Sequence, residues 1–565
     1  MPQQSLSDLG AIAHKAQPYI NQSLQHFLPE TILVVGFLVS ILLDLSIKKS
    51  SEKKYTGYFA LMVFIAAGYA AFQQWIPFVA KQQWQGGQFI FFYTETLLPP
   101  LGMAVVDNFA VFFKLLISLS GVFIVLMSLT SQEVGMRNTR MGEYYSLLIG
   151  MSIGMFLMPA STDLIMMYIS LELVSISSYI LSGFMKDTDR GSEASMKYLL
   201  YGAFSSGLML YGFSLLYGIT GTTNIIAIKM VLAQLFTSPA THPNMMTLWL
   251  ALILSLAGMG YKISAAPFHF WTPDVYEGAP IPITALLSVA SKAGGFGLLM
   301  RFLLFTFPAN PATADPVLNW PLVIAILSAI TMTLGNFAAL QQSNIKRMLA
   351  YSTIAHAGYM MIGLVAAGSQ TGYLGMTVTD GSAGIVSIMI YLVAYLFMNI
   401  GAFYIVMLIS NKIQSEEIDD YKGLAKRAPL LCVSLGIFLV SLTGIPLTVG
   451  FVGKLYLFTA ILKKDPVTHD VKYLWLAVIA ILNSVVSLYY YVRVMAAMFI
   501  KDPEQNSLLE GPRGAMLLGS DGTITYSLSS KLLIFAFLIP VIVLGVYFGP
   551  VVDFAANVVR FFSLQ

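Results

Sequence analysis

Fourteen stretches of this 565-residue chain are long and apolar enough to cross about 30 Å of hydrocarbon, and that repetition constrains the fold more than any other feature. No water reaches the backbone at that depth, so each stretch must satisfy its own N–H and C=O groups and be helical. The runs are 30–47, 57–79, 109–130, 143–159, 163–185, 195–218, 246–270, 280–306, 320–341, 346–367, 383–410, 429–460, 473–500 and 531–549. The expected fold class is an all-α polytopic membrane protein. Composition agrees: 57% of residues are hydrophobic and only 10% charged, against about 25% in soluble domains.

Several function classes fall away. The single cysteine, Cys432, rules out a disulfide framework and a cysteine-ligated cluster or zinc site within this chain. Six scattered histidines show no metal-ligand spacing, so no cofactor is expected here. A net charge of +3 says nothing about partners, because its distribution across the membrane matters more than its sum; the lipid bilayer is the expected surrounding and no nucleic-acid partner is expected. The first apolar run, near Glu30, lacks the basic region and cleavage site of a signal peptide.

Basic residues set an expected orientation. Lys48, Lys49, Lys53 and Lys54 follow the first span, and alternate loops carry Arg137 and Arg140, Lys186 and Arg190, Lys346 and Arg347, then Lys412, Lys422, Lys426 and Arg427. These loops are expected in the cytoplasm, and both termini on the opposite side. Lys463, Lys464 and Lys472 break the pattern. Residues 222–236 are too short to span and read as an interfacial amphipathic helix.

Two spans look interrupted. The seventh runs from Ser255-Leu-Ala-Gly258 through Lys262 to Pro267 and His269; the twelfth runs from Ser441-Leu-Thr-Gly444 through Pro446 and Gly453 to Lys454. Proline removes a backbone donor and clashes with the preceding turn. Both breaks are expected to begin at the Ser-Leu-x-Gly tetrad. Paired interruptions five spans apart point to two inverted repeats, of spans four to eight and nine to thirteen. The expected organisation is 1–142 (amino-terminal segment and three spans), 143–306 and 307–500 (the repeats), and 501–565 (a loop, the last span and the tail).

Ionisable side chains within spans are functional candidates, because a Lys or Asp at mid-membrane costs roughly 2.5 to 3.5 kcal/mol. Glu172 shares a helix face with Ser175 and Tyr179, and Lys197 begins the next span, where a short loop could bring the two together. Lys262 lies beside a break, Lys292 lies mid-span among Ser288, Ser291, Gly294 and Gly295, and Lys454 follows the second break. A static ion pair is the competing reading for Lys262 and Lys292, snorkelling for Lys197, and a helix-end position for Lys454. His269 and His356 suit proton relay or a hydrogen-bonded structural role equally. Lys114, Arg301 and Arg493 read as interface anchors. Desolvation disfavours a charged lysine and a carboxylate restores it, so a lysine whose partner comes and goes is a switchable proton site. Moving one charge against about 150 to 200 mV takes roughly 3.5 to 4.5 kcal/mol, which such switching can supply.

Three motifs carry a resemblance. They are Asp163 to Glu172 with Ser175 to Phe184 and Glu193-Ala-Ser-Met-Lys197; Lys262-Ile-Ser-Ala-Ala-Pro267-Phe-His269 through Asp274, Glu277 and Pro280 to Lys292; and Asn344 to Tyr359 with Gly444-Ile-Pro446 to Lys454. Over roughly residues 30 to 550 the chain resembles the antiporter-like subunit N (NdhB type) of respiratory and photosynthetic complex I. The resemblance implies fourteen helices in two inverted five-helix repeats, with helices seven and twelve broken. It implies Glu172 and Lys197 as a coupling pair, Lys262 and Lys292 as central proton sites, His356 as a linking relay and Lys454 as the exit-side site. Lysine at 454 favours subunit N or L over M, and the chain stops near 565 without the lateral helix of the L type. The implied function is proton translocation coupled to quinone reduction, with quinone and NADH or ferredoxin used elsewhere in the complex. The implied neighbours are K-type and M-type membrane subunits, in a bacterial plasma membrane or a thylakoid-type membrane. A subunit of a multi-component Na+/H+ antiporter or membrane-bound hydrogenase is the first alternative, and a structural scaffold the second. Residues 1–29 and 501–530 depart from the family core and suggest no function.

Overall fold

The computed structural model describes residues 26–49, 52–75, 88–90, 102–135, 140–185, 187–237, 243–308, 316–369, 382–462, 472–501 and 526–559. Arg137, Lys186, Lys463 and Lys464, and most of 1–29 and 501–530, lie outside them. Among the described residues, thirteen helices are long and apolar enough to span a membrane. In chain order the helices begin α1 (Leu28–Ser46), α2 (Tyr55–Gln73), α3 (Asn108–Thr130), the single turn α4 (Gln132–Gly135), α5 (Met141–Ala160), α6 (Leu164–Ser182) and α7 (Asp189–Thr220). Next come α8 (Ile225–Thr237), α9 (Met245–Ile263), α10 (Trp271–Gly278), α11 (Ile281–Thr306), α12 (Trp320–Leu340), α13 (Ile345–Ser369) and α14 (Ser382–Ile413). The last are α15 (Leu424–Arg427), α16 (Pro429–Thr443), α17 (Val449–Ile461), α18 (Leu474–Phe499), α19 (Leu528–Val546) and α20 (Gly549–Val559). The expected twelfth span is the pair α16 and α17, each too short to cross alone. A short antiparallel pair of strands, Gln88–Ile90 with Ala104–Val106, precedes α3.

Burial sorts the helices by role. All of the apolar window of α11 is enclosed, against 28% for α1 and α19, whose remaining apolar side chains face outward as lipid requires. The core is therefore α11 with α13 and α14, the helices that carry Lys292 and His356. Alternation of the spans places the ends near Lys53, Arg140, Arg190, Lys346 and Lys422 on one face, called here the basic face.

Two small ladders tie loops together on opposite faces. Leu164 N–H donates to Thr223 C=O and Ile225 N–H to Thr162 C=O; Ile345 N–H donates to Glu416 C=O and Ile418 N–H to Ser343 C=O. Each ladder joins the start of one span to the end of the next. Each is also capped by a short polar side chain, Asp163 on Ile165 N–H and Asn344 on Lys346 N–H, which satisfies an otherwise free donor of the first turn.

The breaks differ in how they begin. The tetrad Ser441 to Gly444 does end α16, with Gly444 at φ +89°. The tetrad Ser255 to Gly258 does not end α9, which continues to Ile263. Gly258 is there for close packing: a Cβ on it would lie 2.8 Å from Met209 Cβ. Termination falls instead at Ser264, in the left-handed conformation, three residues before Pro267. Protein groups satisfy the unwound backbone, as membrane depth demands. Trp271 Nε1 donates to Tyr261 C=O at 3.0 Å, and Ala266 N–H donates to Thr331 Oγ1 at 3.0 Å.

Candidate functional site

Five helices deliver a row of side chains across the core. On α6, Ser175 lies one turn from Glu172, and Lys262 Nζ of α9 donates to Ser175 Oγ at 3.5 Å. Glu172 acts on Lys262 electrostatically, and its Oε1 is buried without a hydrogen bond. The stem of Lys262 passes α11 at Gly295, where a Cβ would stand 3.4 Å from Lys262 Cγ. One turn back on α11, Lys292 Nζ donates to Thr353 C=O of α13 at 3.0 Å. His356 follows on α13: its Nδ1 is 2.5 Å from Tyr391 Oη and its Nε2 is 3.3 Å from Tyr491 Oη. One turn further, the ring of Tyr359 lies 4.8 Å beneath Lys454 Nζ. That ammonium donates to Thr443 C=O at 2.7 Å and to Ser484 Oγ at 2.9 Å.

The second broken helix aims the carbonyl end of its first half at a lysine. Lys262 is in the last turn of α9, and Lys454 reaches back to the last turn of α16. Carbonyls left free at a helix end carry partial negative charge and favour a cation.

The three central lysines are buried, at 1%, 0% and 4% exposure for Lys262, Lys292 and Lys454. None makes an ion pair within 4 Å among the described residues; hydroxyl and carbonyl oxygens hold them. The static ion pair weighed for Lys262 and Lys292 is therefore not their arrangement, and Lys454 is not at a surface-exposed helix end.

Lys197 departs from expectation. No contact joins it to Glu172; its Nζ lies 2.5 Å from Asp274 Oδ2 and 2.6 Å from Glu193 Oε1. The physical reason is position along the helix: Lys197 stands near the basic-face end of α7, where α10 presents Asp274. Asp274 Oδ1 in turn accepts from Arg347 Nη1 at 2.6 Å. A cleft of about 120 Å³ opens there, lined by Arg190, Glu193, Asp274, Glu277, Gly278 and Arg347.

Lys114 and Arg301 are not interface anchors. Lys114 Nζ lies 2.6 Å from Glu30 Oε1 with both side chains enclosed. Arg301 holds Asp107 by two bonds of 2.7 and 2.8 Å and donates to Pro159 C=O at 2.9 Å. Arg493 caps α12 by donating to Leu340 C=O at 2.8 Å and to Gln342 C=O. His269 is buried in the first break, and its Nδ1 makes no hydrogen bond. On the basic face Lys346 pairs with Glu416 at 2.9 Å. Close by, burial raises the Glu133 carboxyl above its ordinary range, with Lys346 pulling the other way.

Sequence reasoning missed Tyr391, Tyr491 and Asp274. Asp274 lay in a quoted motif, but the two tyrosines sit in apolar runs where an aromatic residue reads as core. Among the described residues no cluster of three or more His, Cys, Asp or Glu side chains could hold a metal ion.

Comparison with known proteins agrees with this architecture. A family model described as NADH:quinone oxidoreductase/Mrp antiporter, transmembrane, matches residues 161–486. The chain is 44% identical over 540 residues to NADH-quinone oxidoreductase subunit N 2 of Chloroherpeton thalassium, with 94% of each chain covered. It is 40% identical over 481 residues to NAD(P)H-quinone oxidoreductase subunit 2 of Thermosynechococcus vestitus, covering 85% of this chain and 83% of that one. It superposes on a chain of respiratory complex I from Thermus thermophilus with a TM-score of 0.67 at 27% identity, over 94% of this chain and 99% of that one.

Proposed function

The chain belongs to the NADH:quinone oxidoreductase/Mrp antiporter transmembrane family, and on that premise we propose that it moves protons along the row Glu172, Lys262, Lys292, His356 and Lys454 in step with quinone reduction elsewhere in its complex. Lys197 is the coupling lysine at the head of the row. The carrying observation is the contrast among buried cations. Lys114, Arg301 and Lys346 are each bound to a carboxylate, as structural charges in a low-dielectric interior must be. Among the described residues, Lys262, Lys292 and Lys454 are bound only to neutral oxygens, so each can change charge without breaking a salt bridge. No direct bond joins successive members of the row among the described residues, so water completes the relay between them.

Under this reading residues 143–306 and 307–500 are the two inverted repeats, a division supported by the two capped ladders on opposite faces. The basic face is cytoplasmic and both termini lie on the other side. K-type and M-type subunits are its membrane neighbours, in a bacterial plasma membrane or a thylakoid-type membrane.

The test is a paired measurement on inverted membrane vesicles carrying Lys262→Ala in an assembled complex. Donor-driven quinone reduction and vesicle acidification are expected to fall together. Should both persist at the unmodified rate, the proton-site reading fails and a scaffold or separate antiporter role replaces it.

A further inference from the structure

Lys197 stands between two acidic neighbourhoods. Toward the basic face it meets Asp274 Oδ2 and Glu193 Oε1. That group is balanced: Arg190, Lys197 and Arg347 face Glu193, Asp274 and Glu277, with Arg347 2.6 Å from Asp274 and 2.8 Å from Glu277, and Arg190 3.4 Å from Glu277. Toward the membrane interior lies Glu172 on the neighbouring helix α6. The rings of Tyr179 on α6 and Tyr198 on α7 meet at 4.9 Å, and Glu172 lies two turns beyond Tyr179, about 10 Å along the axis. Its Oε1 is enclosed and accepts no hydrogen bond. The α6–α7 contact between the two acidic groups passes Gly202, where a Cβ would fall 1.8 Å from Tyr179 Oη and 2.8 Å from Tyr261 Oη. Only glycine leaves those hydroxyls in place.

We propose that Asp274 is a positioning residue for Lys197: with Glu193 it holds the ammonium at the basic face in this state, and it competes with Glu172 for that ammonium in the coupling step. This rests on the proton-translocating reading above and names the second partner that such a step needs.

Three features favour exchange over a fixed pair. The lysine stem is flexible and carries a compact charge, so the head can swing without moving the helix. Arg347 holds the other oxygen of Asp274, so Lys197 can leave without stranding a bare carboxylate in a half-buried site. Glu172 has an unused oxygen ready for a donor. A carboxylate on α10, directly after the first break, thereby links the Lys197 position to the broken helix that carries Lys262. Through Arg347 it also touches the first turn of α13, the helix that carries His356.

Lysine acylation separates the two positions, because 37% of the Lys197 side chain is exposed at the basic face while a Glu172-bound ammonium would be enclosed. The purified, assembled complex is treated with a water-soluble N-hydroxysuccinimide ester, and modification of Lys197 is quantified by mass spectrometry. Asp274→Asn is expected to lower acylation several-fold, because Lys197 moves to Glu172, and Asp274→Asn with Glu172→Gln is expected to restore it. Glu193→Gln, a change at an exposed carboxylate, is a gentler version and is expected to act in the same direction. A rise in acylation in Asp274→Asn or Glu193→Gln with Glu172 intact overturns the proposal, since a static pair simply frees its lysine. The readout needs no turnover. Its failure is thus distinct from failure of the proton reading, which depends on acidification in Lys262→Ala.

Discussion

Lys454 Nζ donates at 2.7 Å to the carbonyl of Thr443, the residue at which the first half of its own broken helix ends. The break and the charge are one structure: unwinding frees the carbonyl, and the lysine eleven residues later occupies it. Gly444 makes this possible, because it adopts φ +89° and leaves room for the lysine stem.

Gly444→Ala is therefore expected to damage the site twice. The left-handed backbone costs an L-residue roughly 1 to 2 kcal/mol. The new Cβ would also approach Lys454 Cδ to 2.8 Å and push the ammonium off Thr443. Thermal stability of the purified complex and vesicle acidification are both expected to fall, the second more steeply than in a control such as Gly207→Ala, where a Cβ meets nothing within 4 Å.

The 2.5 Å contact with Tyr391 Oη orients the His356 ring through its Nδ1. Tyr391→Phe leaves that nitrogen buried without a partner, at a cost of about 1 to 3 kcal/mol. Acidification is expected to slow with quinone reduction in step. Tyr491→Phe, which removes the longer 3.3 Å contact, is expected to have the smaller effect. Rates of both variants measured side by side decide it.

Lys114→Ala strands Glu30 in the interior and is expected to cost about 3 to 5 kcal/mol, lowering the amount of assembled complex. Lys114→Met combined with Glu30→Leu removes both charges and is expected to recover assembly with proton pumping intact. Blue-native electrophoresis and the vesicle assay read the two outcomes; loss of pumping in the well-assembled double variant would move this pair into the proton path.

Glu133 accepts from Ile281 N–H at 3.1 Å at the start of α11, and burial raises its carboxyl above the ordinary range. A raised folded value means that the stabilising contribution is complete below the unfolded value, about 4.3, and is lost as pH rises through the folded one. Glu133→Gln stays neutral throughout. It is expected to match the unmodified protein at acid pH and to become relatively more stable toward pH 8, as followed by thermal unfolding of the complex in a series of buffers.

Much of this protein is written plainly along the chain. Each apolar run must be a helix because hydrocarbon offers its backbone no other partner, so the spans were legible from length and hydropathy alone. The amphipathic segment is found as α8, and Pro267 and Pro446 marked the breaks. Lys262, Lys292 and Lys454 were legible as exceptional because no bland composition places lysine at mid-membrane. What each charge touches was another matter, because neighbours in the row lie on different helices, tens of residues apart in sequence. Lys114 and Arg301 sit near span ends, where snorkelling is the cheap solution; only packing reveals that Glu30 and Asp107 wait there instead. Lys197 was expected to meet Glu172 across a short loop, yet the relative height of α7 and α10 hands it to Asp274, together with Glu193 one turn away on its own helix. Gly258 carried the same tetrad as Gly444 and serves close packing, since a glycine breaks a helix only where the surrounding protein supports the turn. Sequence alone determined the spans, their alternation and which charges lie in the membrane, because bilayer thickness and dielectric act on each segment by itself. Tertiary structure alone decided which lysines are paired with carboxylates and which are held by neutral oxygens, because that depends on helix height and rotation fixed by packing across the whole bundle.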